Sequence, residues 1–139
     1  MKKDVLITIT DVQDIDGDLE TIQLTTSGKF YKRGDVWYLA YEETEATGFE
    51  GCTTTLKIEP SQKVTITRFG KASRSQLVVE PGIRHQCYYD TGFGDMMVGI
   101  MGSRFDSHLT EEGGEVSFTY SLDINTSLAS YNSVTVSVQ

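Results

Sequence analysis

Glu43, Glu45 and Arg68 are the side chains through which this sequence could most readily do chemistry. Glu43 and Glu45 continue, at every second position, the series Trp37, Leu39, Tyr41. Arg68 continues Val64 and Ile66 in the same way. Residues two apart on a strand share a face. If the apolar members of these series point into a core, Arg68 and one or two glutamates go in with them. A buried charge needs a partner. The expectation is an interior ion pair, Arg68 with Glu43 or Glu45, with Tyr41 hydrogen-bonded nearby. A guanidinium held this way could grip the polar head of a ligand by a bidentate contact. The candidate ligand-binding set is Tyr41, Glu43, Glu45, Arg68 and Tyr89. The competing reading puts these charges at a wet rim, or makes them a structural pair that binds nothing.

Other constellations carry less. Two carboxylates at i and i+2 are compatible with glycoside hydrolysis, where such groups stand roughly 5–9.5 Å apart. Any acidic strand face supplies that spacing. His85 and Cys87 share a face and could join His108 and Cys52 around zinc, but no Cys-x2-Cys or His-x3-His spacing supports it. Ordinary packing is the simpler reading, and no metal or cofactor is expected. Gly92-Phe93-Gly94 lacks the helix and lysine of a phosphate loop, and reads as a turn. Met96, Met97 and Met101 could give one wall of a pocket an adaptable apolar surface.

The elements that would position these groups are strands. Period-2 alternation runs almost from end to end. Val5, Ile7 and Ile9 share a face, as do Ile22, Leu24, Thr26 and Phe30, and later Val116, Phe118, Tyr120, Leu122 and Ile124. Turns fall at Arg33-Gly34-Asp35, Pro60-Ser61-Gln62, Gly70-Lys71, Pro81-Gly82 and Glu112-Gly113-Gly114. At most, Thr126 to Ala129 could form a single helical turn. The chain holds 17 Thr, 11 Val and 9 Ile against four Ala, a composition that favours strands over helices. About ten such segments predict an all-β fold: one domain over 1–139, an antiparallel up-and-down barrel of about 8–10 strands. The closing Val134, Val136 and Val138 need a partner, and the first strand would supply it.

The net charge of −8 argues against nucleic acid and against anionic membrane surfaces. The opening Met1-Lys2-Lys3-Asp4 and its short, Thr-rich apolar run do not make a signal peptide, so the expected compartment is the cytoplasm. Cys52 and Cys87 are then expected as free thiols. Nothing in the sequence sets the oligomeric state.

Several stretches in fixed order carry a family resemblance. They are Tyr41-Glu42-Glu43-Thr44-Glu45-Ala46-Thr47-Gly48-Phe49-Glu50, Thr53 to Ile58, Val64 to Gly70, Tyr89-Asp90-Thr91-Gly92-Phe93-Gly94, Gly113-Gly114 and Tyr120-Ser121-Leu122. Together they resemble the YwiB-like family of small bacterial proteins of unknown function. The family pattern has Thr-Pro where this chain has Thr91-Gly92. The resemblance implies a calycin-like barrel, the broad architecture of lipocalins and fatty-acid-binding proteins, and it implies no activity. The lipocalin Gly-x-Trp signature is not matched, because Gly34 and Trp37 are one residue too far apart.

The leading expectation is a non-enzymatic barrel that binds a small, partly apolar or amphipathic ligand with its polar end near Arg68. The alternative is a filled barrel serving as a structural or protein-interaction module. A carboxylate-based hydrolase comes third.

Overall fold

Alternation of apolar and polar residues, carried through ten consecutive strands, rolls the chain into a closed barrel. The structure is a computed structural model that describes residues 2–44, 50–70, 74–90 and 95–139. The strands are β1 (Lys3–Ile15), β2 (Asp18–Arg33), β3 (Val36–Glu42), β4 (Cys52–Glu59) and β5 (Lys63–Gly70). They continue as β6 (Arg74–Val79), β7 (Arg84–Asp90), β8 (Asp95–Thr110), β9 (Gly113–Ile124) and β10 (Ser127–Val138). Each strand pairs antiparallel with its neighbours in sequence, and β10 returns to pair with β1 from Ile7↔Val138 to Asp14↔Tyr131. That closure supplies the partner the last strand needed and, among the described residues, leaves no long free edge. Up-and-down order is what sequence alternation predicts, and the architecture is consistent with a calycin-like barrel.

Inward positions make the core. Ile7, Phe30, Leu39, Ile58, Val64, Val79, Val116, Phe118 and Val136 are essentially sealed from solvent. Most of them pack toward the end where β3 begins and β10 finishes. Glycine permits one close approach that bears on the site. A Cβ on Gly28 would lie 2.5 Å from the Ala40 carbonyl and 2.6 Å from Ile7 Cδ1, so only glycine lets β2 sit this close under Tyr41. On the outer surface Gly99 plays a similar part. The Arg84 guanidinium lies where its Cβ would be, and crosses β8 to grip Asp123 on β9 at 2.9 and 2.7 Å.

Two expectations fail here. The segment 126–129 does not form a helical turn. Asn125 and Thr126 make a tight hairpin turn at φ 52° and 68°, and β10 starts at Ser127. Cross-strand pairing, Ser127↔Ile124, wins over one isolated helical turn, which cannot repay its nucleation cost. The three methionines do not share a wall either. Met96 packs against the core, whereas Met97 and Met101 stand on the outer face. They are an odd number of positions apart from Met96, and a strand alternates sides. The expected turns at 71–73 and 91–94 lie outside the described residues.

Thr126 offers a direct check of the hairpin. A β-branched residue at positive φ is disfavoured, and this turn type prefers glycine there. Thr126→Gly is expected to stabilise the protein by about 0.5–1 kcal/mol, the relief of a left-handed residue less the extra entropy of the unfolded glycine. Urea unfolding of the variant measures it. A loss of stability would mean that the Thr126 side chain, whose hydroxyl donates to the Asn125 carbonyl, matters more than its backbone strain.

Candidate functional site: a polar cluster inside the barrel

One register row carries much of the cluster. Gly28 on β2 pairs with Tyr41 on β3, Tyr41 with Thr54 on β4, Thr54 with Arg68 on β5, and Arg68 with Ser75 on β6. All belong to inward-facing series, so four polar side chains line up across adjacent strands inside the barrel. Glu43 follows Tyr41 two residues on and is buried, its side chain only 1% exposed. Arg68 Nε donates to Glu43 Oε2 at 3.3 Å, and the Thr54 hydroxyl donates to the same oxygen. The Tyr41 hydroxyl is hydrogen-bonded to Thr54 and Glu43, and burial pushes its pKa well above the usual phenol range. The interior ion pair expected from the sequence is therefore formed, by Glu43, with Tyr41 beside it. The rim alternative does not describe Glu43. Glu45 lies outside the described residues.

The facing wall adds residues that sequence reasoning passed over. Asp11 and Gln13 extend the Val5-Ile7-Ile9 series of β1, and both reach the same cavity. The alternation that placed Ile9 inside could have found them, had it been followed two and four residues further. Burial raises the Asp11 carboxyl above its ordinary value, partly opposed by a hydrogen bond from Gln13 and by the Arg68 charge. Asp11 Oδ1 is buried without a hydrogen-bond partner from the described protein groups. Tyr120 is buried on β9, and desolvation lifts its phenol well above the usual range too, with the Asp11 charge adding to it.

These groups cap a cavity of about 160 Å3. Its polar wall is Asp11, Gln13, Tyr41, Glu43, Arg68, Tyr89 and Tyr120. Its apolar wall is formed by Ile9, Ile22, Leu24, Leu56, Ile66, Leu77, Phe118, Val134 and Val136. Four of the five residues singled out in the sequence, Tyr41, Glu43, Arg68 and Tyr89, line this one space. The geometry can do two things: hold a small apolar body, and meet a polar group with one guanidinium and two carboxylates. The volume is below the several hundred Å3 of a typical drug-sized pocket.

The other constellations separate. His85 Nε2 lies 2.9 Å from Glu80 Oε1. Cys87 packs in the core, its Sγ accepting from the Val78 amide at 3.3 Å, and burial raises its pKa. Cys52 is buried on β4, and both thiols are free. His108 stands near the opposite end, beside Trp37 and Phe105. Among the described residues no three His, Cys, Asp or Glu side chains come together as a metal site.

The profile of a domain family described as "Domain of unknown function (DUF1934)" matches residues 7–136. The chain belongs to this DUF1934 family. Across 141 aligned residues it is 26% identical to the uncharacterized β-barrel protein YwiB of Bacillus subtilis (strain 168), covering all of this chain and 96% of that one. The crystal structure of the ywiB protein from Bacillus subtilis has the same fold: TM-score 0.87 at 22% identity, over 99% of this chain and 92% of that chain. The DUF1934 barrel is thus shared, and its description assigns no activity. No helix among the described residues is long and apolar enough to cross a membrane.

Asp11 makes the site's cost measurable. A carboxyl whose pKa is raised by folding binds its proton more tightly in the folded state. Stability therefore falls as pH rises from the ordinary Asp value near 3.8 through the raised one, and the full cost is present above it. Asp11→Asn is expected to be more stable than the wild type at pH 7, with the gap closing as pH drops towards 4. Thermal melts of both proteins across that range test it, and a gap that widens on acidification would refute the burial of this charge.

Proposed function

We propose that this barrel is a non-enzymatic binding protein for a compact, partly apolar ligand, held with its polar end against the Tyr41–Glu43–Arg68 cluster. The observation that supports it most is the cavity itself: an apolar pocket inside a closed barrel, with charged groups gathered at one side. Barrels of this size either fill with side chains or hold one small ligand. A space of about 160 Å3 matches a ligand of benzene-like bulk rather than a long acyl chain. Glu43 is already engaged by Thr54 and Arg68, which suits a positioning acceptor better than a proton donor in hydrolysis. Nucleic acid is disfavoured as a partner by the net charge of −8. Native mass spectrometry of protein purified gently from its own host tests the reading: a retained small molecule supports it, and a bare chain that takes up no small apolar compound refutes it.

A protein-interaction role is the second reading. Met101, Tyr131 and Leu19 fall on one outward register row, Met101↔Ser121↔Tyr131↔Asp14↔Leu19, and all three are exposed. Exposed apolar rows of this kind occur at contact surfaces. Tyr131→Lys that abolishes a measured association would favour it.

A further inference from the structure

The charges around the cavity do not balance in the way a carboxylate ligand would need. Among the described residues Arg68 is the one cationic side chain lining it, and Glu43 engages its Nε. Asp11 faces the same space from β1, close enough to feel the Arg68 charge. Among the described residues two carboxylates thus stand against one guanidinium. An anionic head entering here would meet a cation already engaged, and two like charges beside a largely apolar wall. Like charges at close range are strongly penalised there. The unmet hydrogen-bonding capacity is of the opposite kind. Among the described residues Asp11 Oδ1 is an acceptor without a donor, and buried polar atoms in folded proteins nearly always have a partner. Asp11 lines the cavity and is only half-buried, so its carboxylate is the acceptor at hand for an incoming N–H group.

We infer that the cavity selects a ligand with an ammonium head and a short apolar or aromatic body, with Asp11 as the residue that receives the head. This rests on the small-molecule-binding reading and goes further by setting the charge of the ligand. The apolar wall of Ile9, Leu24, Leu56, Ile66, Phe118 and Val134 takes the body. The volume limits that body to about one ring, since a cavity of about 150 Å3 accommodates benzene. Glu43 holds Arg68 through its Nε, so the guanidinium does not need to leave its pair when the ammonium enters.

Three probes of one shape separate the possibilities: benzylamine, benzyl alcohol and benzoate. Each is titrated into the full chain at neutral pH and followed by the NMR signals of cavity methyl groups, those of Leu24, Leu56 and Val134. The inference expects benzylamine to bind at least about tenfold more tightly than benzoate, with benzyl alcohol between them. It expects Asp11→Asn to abolish that preference. Benzoate binding as tightly as benzylamine, in the wild type alone, overturns the charge assignment and leaves the binding barrel standing. A preference that survives Asp11→Asn overturns the role of Asp11. If none of the three probes perturbs the cavity methyls, the small-molecule reading fails and this inference fails with it.

Discussion

Arg68→Ala is expected to lower the free energy of unfolding by about 3–5 kcal/mol. The reason is the partner left behind. The Glu43 side chain is 1% exposed, and without Arg68 its negative charge keeps the neutral donors Thr54 and Tyr41 but loses the counter-charge on Arg68. Removing one member of a buried pair costs far more than the pair itself contributes, because the survivor still carries the cost of leaving water. For a chain of this size the melting temperature should fall by roughly 10 °C. A second substitution separates charge from packing. Arg68→Ala with Glu43→Gln removes the stranded charge while keeping an acceptor for Thr54, and should recover about half of the loss. Urea denaturation of the two single variants and the double variant gives the coupling energy directly. An Arg68→Ala protein as stable as the wild type would mean that the two charges are solvated in solution.

Phe118→Ala is expected to cost about 3–5 kcal/mol as well, through a different mechanism. Phe118 is fully buried on β9, stacked near Tyr120 at a ring-centroid distance of 6.3 Å, and it forms part of the apolar wall of the cavity. Truncation loses its transfer free energy and leaves a void that merges with the existing space. This makes the variant a reporter for the cavity. A small apolar compound such as toluene should fill the enlarged void and raise the melting temperature with concentration, as mass action requires. The wild type, with its smaller space, should respond less. If toluene stabilises both proteins equally, or neither, Phe118 does not separate the cavity from the core and the wall has been misdrawn. Arg68→Ala tests the polar side of the site, and Phe118→Ala tests the apolar side.

Much of the barrel is legible in the residues alone, because its governing signal is local. A strand turns successive side chains to opposite sides, so Val5-Ile7-Ile9, Leu56-Ile58 and Val116-Phe118-Tyr120 declare their inner faces without reference to the rest of the chain. The same rule carried Glu43 and Arg68 inward along with Tyr41 and Ile66, and four of the five proposed site residues do line one cavity. Local patterning also placed the turn at Gly34, whose φ of 61° suits a tight hairpin.

What alternation does not contain is the identity of neighbours across the ring. Asp11 and Arg68 belong to β1 and β5 and are 57 positions apart, and nothing in either strand says that they face each other. That depends on closure of β10 against β1, on the number of strands, and on the register of every ladder between them. Thr54 became a partner of Glu43 through the Tyr41↔Thr54 pairing of β3 with β4. The methionines near 96–101 show the converse, since closeness in sequence put them on opposite sides of the same strand. The sequence by itself determined that this chain is a rolled sheet with charge inside it. The tertiary structure alone decided which charges meet and how much space they enclose, because side-chain direction is a property of one strand, whereas a cavity is a property of all ten.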